Sequence, residues 1–331
     1  MITQEQVDSI KALLLGKKNI VILTHLSPDG DAMGSALGLC NWLGNAKVIV
    51  PNRFPDFLSW LPGASDIIVY FDQKQASEKA VSEADLLFCL DFNEPNRIGE
   101  AAALFSLAKC HRVLIDHHLH PDEQMADTII SYPEAPATCY LVLELINKLF
   151  APLSTNTATC LYCGLMTDTG NFAFNSNRPE LYEMIAELLR AGINKDQIFD
   201  AVFNQYSANR MELMGYCLFR KMKIYKNYHT ALITLTSSEL RRFNFQKGDT
   251  EGFVNLPLQI ADIRYSVFMR EDSDRIKISF RSQGDRPVNV FAHEYFNGGG
   301  HLNAAGGESY NTMETTIKTF EDHFRDFFRK D

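Results

Sequence analysis

The sequence predicts an α/β protein: a mainly parallel sheet with helices on both faces, joined by a helical connector to a smaller α+β domain. Three observations carry this. Through about residue 190, short apolar runs alternate with stretches of helical periodicity, and strands that are apolar throughout are strands buried on both faces. Beyond about residue 210 the pattern changes to strand pairs with helices between them. A chain of 331 residues, 46% hydrophobic and 22% charged, is also long enough to build two separate cores.

The strands are read in order from "NIVILT" (19–24), "AKVIV" (46–50), "DIIVY" (66–70), "DLLFCL" (85–90) and "RVLID" (112–116). Helical spacing occupies 32–43 and 73–83, then 136–149, 155–166 and 179–191, with Gly192 as the residue just past a helix end. Residues 193–210 lack Gly, Ser or Pro enrichment and read as a helical connector. This gives a first domain at 1–192 and a second at 211–331. In the second, 223–236 resembles a hairpin and 264–282 a further strand pair, with helical runs near 250–260, 287–296 and 312–329.

Composition excludes several function classes. With a net charge of −9 the chain has no basic stretch able to grip long nucleic acid, so a nucleic-acid partner is expected to be short and locally held. The first residues, "MITQEQVDSIKALLLG", lack the basic region and apolar core of a signal peptide, and no run approaches a membrane span. Seven cysteines, an odd number set mostly in apolar runs, fit reduced thiols in a cytoplasmic protein. Cys160 and Cys163 have CxxC spacing without a second pair, which favours core packing over a zinc site.

Ionisable residues collect where the apolar runs end. "THLSPDGDAMGS" follows the first strand and carries His25, Asp29 and Asp31. Pro28 disfavours helix at Ser27, Gly30 permits a tight backbone, and Asp31 falls where a helix N-cap belongs. Capping accounts for Asp31 alone. His25 and Asp29 lie at the carboxyl end of a buried strand, where α/β proteins place their sites. Asp91 ends "DLLFCLD" in the same position of another strand. "VLIDHH" runs straight into Asp116, His117 and His118. Neighbouring side chains of extended backbone point to opposite sides, so the two histidines are expected to divide the work, one toward a metal and one toward substrate. His120 reads as an ordinary loop histidine. In "GLMTDTGNF", Gly164 and Gly170 bracket Asp168 and would let the chain turn sharply there.

The first domain thus offers His25, Asp29, Asp31, Asp91, His117 and Asp168, with Asp116 and His118 beside them. Imidazole and carboxylate without a thiol set suit Mn²⁺-like ions. Six ligands exceed the need of one open ion. Two ions sharing a bridging carboxylate, roughly 3.5–4 Å apart, are the economical arrangement, and such a pair activates water and clamps a phosphoryl group. In the second domain "NGGGHLNAAGG" (297–307) surrounds His301 with glycines and reads as a loop offering backbone N–H groups to an anion. Arg281, in "SFRS", could pair with phosphate. Arg97 is a further cation after Asp91, and Asn303 has no assigned role.

These blocks, in this order, resemble the DHH phosphoesterase family with a DHHA-type C-terminal domain. "HLSPDGDAMGS", "LD" at 90–91, "DHH" and "TDTGNF" are similar to its four N-terminal motifs, and "GGGHLNAAGG" to the signature of its second domain. Length and the lack of added domains most resemble the bacterial nanoRNase/pAp phosphatase subgroup. The resemblance implies a two-metal hydrolase, an exoribonuclease for very short RNA that also removes the phosphate from 3′-phosphoadenosine 5′-phosphate (pAp). It implies one Mn²⁺, or another divalent ion, on His25, Asp29 and Asp91. A second would sit on Asp31, Asp91, His117 and Asp168. Asp116 would orient His117, and His118 would meet the scissile phosphate or protonate the leaving oxygen. Arg281, Gly299, Gly300 and His301 would hold the nucleotide from the second domain. No motif residue is missing. A cyclic-di-AMP/pApA phosphodiesterase and a non-catalytic nucleotide sensor are the competing expectations. Expected partners are short RNA and nucleotides, with no membrane and a homodimer left open.

Overall fold

The apolar runs of the first unit, Met1–Gln205, pair side by side. In the computed structural model, which describes residues 1–150 and 152–328, six strands form one sheet. They are β1 (Ile20–Leu23), β2 (Ala46–Val50), β3 (Ile68–Val69), β4 (Leu86–Leu90), β5 (His111–Asp116) and β6 (Thr128–Ser131), in the order β3-β2-β1-β4-β5-β6. All five pairings are parallel. Alternate residues of each strand enter different cores: Ile20, Ile22, Phe88 and Ile115 on one face, Val21, Leu23, Leu87 and Leu114 on the other. That double burial is why the centres of these strands are apolar. β6 escapes the sequence reading because it is an edge strand in which only Ile130 is buried.

Among the described residues of this unit, seven α-helices follow the chain: α1 (Gln4–Leu14), α2 (Gly30–Leu43), α3 (Lys74–Ser82), α4 (Thr138–Lys148), α5 (Thr155–Asp168), α6 (Pro179–Arg190) and α7 (Lys195–Phe203). α3 and a 3-10 stretch, Pro95–Ser106, cover one face through Ala80, Val81, Ile98 and Leu104. The other six supply the opposite core. α2 and α5 meet backbone to backbone. A Cβ on Gly34 would lie 2.6 Å from the carbonyl oxygen of Cys160 and 2.9 Å from the Gly164 nitrogen. One on Gly164 would lie 2.2 Å from Cys139 Sγ and 3.1 Å from Asp31 Oδ1. Gly164 therefore serves a helix crossing and not the sharp turn its sequence context suggests. The turn comes later, at Gly170, where φ is +57°.

Strand order reverses between β1 and β4: from β1 the chain steps outward to β2 and β3, from β4 outward to β5 and β6. At such a switch point the connections leave in opposite directions and a crevice opens at the carboxyl ends. His25, Asp91 and Asp116 occupy those ends.

The segment at 193–210 is helical. α7 buries Ile198 and Val202 in the first unit, and α8 (Ala208–Tyr216) opens the second, which begins at Tyr206. The second unit continues with β7 (Lys223–Tyr225), β8 (Thr230–Leu235), α9 (Ser237–Arg242), β9 (Tyr265–Glu271), β10 (Ile276–Ser282), α10 (Val288–Phe296), β11 (Gly299–His301), β12 (Ala304–Ser309) and α11 (Met313–Phe327). Its sheet runs β11-β12-β10-β9-β8-β7, antiparallel except for β8 with β9. Ile276, Ile278 and Phe280 face Phe291 of α10 and Phe320 and Phe324 of α11, while Ile233 and Phe268 face Leu213 and Leu240 across the opposite side. The helical run expected near 250–260 is a 3-10 turn, Phe253–Gln259, which Pro257 keeps from continuing as an α-helix.

The glycine-rich segment is not a loop. It is the hairpin β11–β12, and Gly306 and Gly307 pair in register with Ser279 and Ile278 of β10. The glycines are there for close approach: a Cβ on Gly298 would lie 2.0 Å from the Gly306 carbonyl oxygen. Asn303 pins the hairpin turn, its amide donating to Ser282 Oγ at 2.8 Å and the Gly284 carbonyl at 2.7 Å. Asn303→Ala should lower the stability of this unit by about 1 kcal/mol, measured by urea denaturation.

All seven cysteines are free, and burial pushes the Cys163 thiol up to about 12. Cys160 and Cys163 are core residues. Among the described residues no helix is long and apolar enough to cross a membrane.

Candidate metal centre

The loop after β1 is organised around Asp29. Its Oδ1 accepts the N–H groups of Asp31 and Ala32, at 3.0 and 3.1 Å, and so caps α2. The N-cap is thus Asp29 and not Asp31, because helical geometry already begins at Gly30. Asp31 is released for another task. Its buried carboxylate receives the N–H of Thr138 at 2.6 Å and that of Cys139 at 2.9 Å. An aspartate from α2 thereby satisfies the first turn of α4, whose own N-cap, Ala137, has no side-chain acceptor.

Asp91 follows β4 in a left-handed conformation, φ +66°, which aspartate tolerates better than bulkier residues. Its N–H still pairs with the Ile115 carbonyl at 3.1 Å, so the residue stays tied to the sheet while its side chain is re-aimed. The carboxylate is buried, with Oδ2 3.4 Å from His25 Nε2 and Oδ1 3.7 Å from His117 Nε2. His25 Nε2 also lies 3.8 Å from Asp29 Oδ1. His117 Nε2 lies 3.8 Å from Asp31 Oδ2 and 3.6 Å from Asp168 Oδ2, at the end of α5.

Each of these imidazoles is fixed from behind. His25 Nδ1 is 3.0 Å from the Leu26 carbonyl, and His117 Nδ1 is 3.2 Å from the Ala135 carbonyl. A carbonyl only accepts, so both Nδ1 atoms carry a hydrogen, and both Nε2 atoms face carboxylate oxygens, where they can hold a proton or turn a lone pair to a cation. Two anionic clusters result. Ligand atoms of His25, Asp29 and Asp91 lie within 4.8 Å of one another, and so do those of Asp31, Asp91 and His117. Asp91 belongs to both.

The clustered carboxylates leave negative charge to be neutralised. Burial, together with the neighbouring Asp91 carboxylate, pushes Asp31 up to about 7. Desolvation lifts Asp168 above the usual carboxylate range although its side chain is 31% exposed, with Asp31, Asp29 and Asp91 adding to it against His117. Burial disfavours a charged His25, yet Asp29 and Asp91 raise it well above its ordinary value. Such a site either recruits protons or takes up metal. Carboxylates and imidazole nitrogens converging without thiolates are the donor set of a borderline or hard divalent ion.

His117 and His118 do not point to opposite sides. β5 ends at Asp116, so strand alternation stops there, and the two rings meet edge to face with centroids 5.1 Å apart. Asp116 holds His118 and not His117. Its Oδ1 is 2.7 Å from His118 Nδ1, and its Oδ2 accepts the His118 backbone N–H at 3.0 Å. Although burial disfavours the imidazolium, Asp116 and then Asp91 raise the His118 pKa. Arg97 opposes them from the 3-10 stretch, whose Arg97 carbonyl accepts the Leu26 N–H at 2.8 Å. His120 is exposed with φ +57°.

In the second unit, Arg281 of β10 pairs in register with Ala304 of β12, and Ala304 with His301 of β11. Laterally paired residues share a sheet face, so Arg281 and His301 flank one small alanine. Arg281 Nη1 donates to the Phe280 carbonyl at 2.9 Å. Gly299 is exposed, and a Cβ there would meet nothing within 4 Å.

Three contributors are invisible as ionisable motifs: Thr138, the Ala135 carbonyl behind His117, and Asn175, whose amide donates to that carbonyl at 3.2 Å. They act through a hydroxyl, a peptide group and an amide. The one available signal is "PATC", small and polar residues opening a helix directly downstream of the sheet.

Known proteins resemble the chain across most of its length. Residues 19–165 match the DHH family, N-terminal domain, and residues 228–330 the DHHA1 domain. A bifunctional oligoribonuclease and PAP phosphatase NrnA of Thermus thermophilus is 32% identical over 87% of this chain and 83% of its own. An exopolyphosphatase-related protein of Bacteroides fragilis has a solved structure that superposes with a TM-score of 0.96 at 47% identity. The match covers 99% of this chain and 98% of that one. The cyclic-di-AMP phosphodiesterase GdpP of Bacillus subtilis is 24% identical over 97% of this chain but only 49% of its own.

Proposed function

The chain belongs to the DHH family, with a DHHA1 domain behind the first, and on that premise we propose that it is a metal-dependent hydrolase of short oligoribonucleotides and of pAp. The observation that carries this is the pair of carboxylate–imidazole clusters sharing Asp91 at the switch point of a parallel sheet. His25, Asp29 and Asp91 would hold one cation, and Asp31, Asp91, His117 and Asp168 the other, with Mn²⁺ the ion best matched to the donors. Bound there, divalent cations supply Lewis-acid polarisation of a phosphoryl group and acidify the attacking water.

The protein's own residues do the rest. Asp116 holds the His118 hydrogen at Nδ1 and stabilises the imidazolium, so a second proton at Nε2 is available for the leaving oxygen. Arg281 and His301, with the bare backbone of Gly299 and Gly300, suit the non-reacting part of a nucleotide: a guanidinium for phosphate, glycines for close approach. The first unit is the catalytic part in this reading and the second the substrate-binding part. The free, mostly buried thiols fit a cytoplasmic enzyme. A net charge of −9 fits short substrates, which need no extended basic track.

One panel tests this. Purified protein with Mn²⁺ should release phosphate from pAp and cleave RNA dinucleotides to pentanucleotides, leave long RNA largely intact, and lose all activity in EDTA. Hydrolysis of cyclic di-AMP alone would move the assignment to the GdpP-like activity. No turnover of any of these compounds would leave a nucleotide sensor.

A further inference from the structure

Thr138 is fully buried in the first turn of α4, and both of its donors go to carboxylates of the metal centre. Its N–H reaches Asp31 Oδ2 at 2.6 Å, and its hydroxyl reaches Asp91 Oδ1 at 2.9 Å. Threonine near a helix start ordinarily bonds N–H groups of its own helix. Here α4 receives its cap from Asp31 of another helix, and the hydroxyl is turned outward to a residue 47 positions away. Helix stability does not explain that arrangement.

The site does. Asp31 and Asp91 repel each other, and Asp91 is among the causes that raise Asp31. Thr138 lies between them and donates to both. Asp91 is also the group whose two oxygens serve different clusters, Oδ2 toward His25 and Oδ1 toward His117. A carboxylate can rotate about its terminal bond, and that rotation would take both oxygens out of register with their histidines. A hydrogen bond to Oδ1 fixes the plane. We propose that Thr138 is a positioning residue, whose hydroxyl holds the Asp91 carboxylate in the orientation that lets it serve two cations at once. The inference rests on the two-cation reading above.

The test is a Mn²⁺ titration of metal-free, full-length protein, followed by the electron paramagnetic resonance of free and bound Mn²⁺. The unaltered protein should take up two ions whose spectrum is broadened by their proximity. Thr138→Val exchanges hydroxyl for methyl at nearly constant volume. It should bind Mn²⁺ about 10–100-fold more weakly and lose the broadened spectrum while its circular dichroism is unchanged. With pAp at saturating Mn²⁺, kcat should fall while KM stays. Thr138→Ser, which keeps the hydroxyl, should restore binding and spectrum. If the valine variant does not fold, Thr138→Ala against Thr138→Ser makes the same comparison. Equal Mn²⁺ binding by the hydroxyl-free and hydroxyl-bearing variants overturns the proposal and leaves the two-cation reading standing. Failure of the unaltered protein to bind two ions overturns both.

Discussion

His118→Ala should lower turnover of pAp by about 10²–10⁴-fold, the usual contribution of a positioned acid or base, and still take up two Mn²⁺. The reason is where each ring nitrogen is committed. His118 Nδ1 is engaged by Asp116 at 2.7 Å, so the residue is anchored through a carboxylate that belongs to the sheet end. His117 Nε2, by contrast, faces three carboxylates at 3.6–3.8 Å, where a cation would bring them together. His117→Ala should therefore weaken one of the two binding steps in a calorimetric Mn²⁺ titration, with turnover lost as a consequence. Comparable loss of metal in both variants would remove the distinction between the neighbours. Asp116→Asn should resemble a milder His118→Ala, lowering kcat with Mn²⁺ binding retained, since the amide no longer stabilises the imidazolium.

The second large effect is steric. Gly34→Ala places a methyl group 2.6 Å from a backbone carbonyl oxygen and 2.9 Å from a backbone nitrogen, neither of which can swing aside as a flexible side chain would. The upper range of overpacking costs applies, about 3 kcal/mol. For a unit of 205 residues that is a fall in Tm of roughly 6–12 °C. Calorimetry measures it directly. Separation of α2 from α5 also moves Asp31 away from Asp168, so Mn²⁺ affinity should fall in the same variant. A folded Gly34→Ala protein with unchanged Tm would mean that the two helices can part without cost.

Much of this was legible in the sequence, and the boundary between what was and what was not is physical. Runs buried on two faces carry few polar residues, so β1, β2, β4 and β5 stand out. β6, half-exposed at an edge, does not. Side chains that carry charge at strand ends announce themselves, which is why His25, Asp91, Asp116 and His117 could be picked out by position. Which partner each one holds depends on where regular backbone stops. β5 ends at Asp116, and the expected division of His117 and His118 to opposite sides, like the pairing of Asp116 with His117, fails at that point. Glycine is the least legible residue of all. The same letter marks a helix crossing at Gly34, a strand contact at Gly298 and a left-handed turn at Gly170, and only the neighbours in space separate these roles.

The six candidate ligands are contributed by the ends of β1, β4 and β5, by the start of α2 and by the end of α5. No two adjacent elements in the chain supply a sufficient set. On the proposed ligand sets, a growing chain on the ribosome could assemble His25, Asp29 and Asp91 once β4 has docked, but could not complete the second set until Asp168 has emerged and α5 has docked, late in the folding of the first unit. Uptake of the second cation would in effect be a report on completed folding. Because the ligand set is dispersed in this way, bound cations should stabilise the unit against global unfolding while doing little to slow the fraying of its edges.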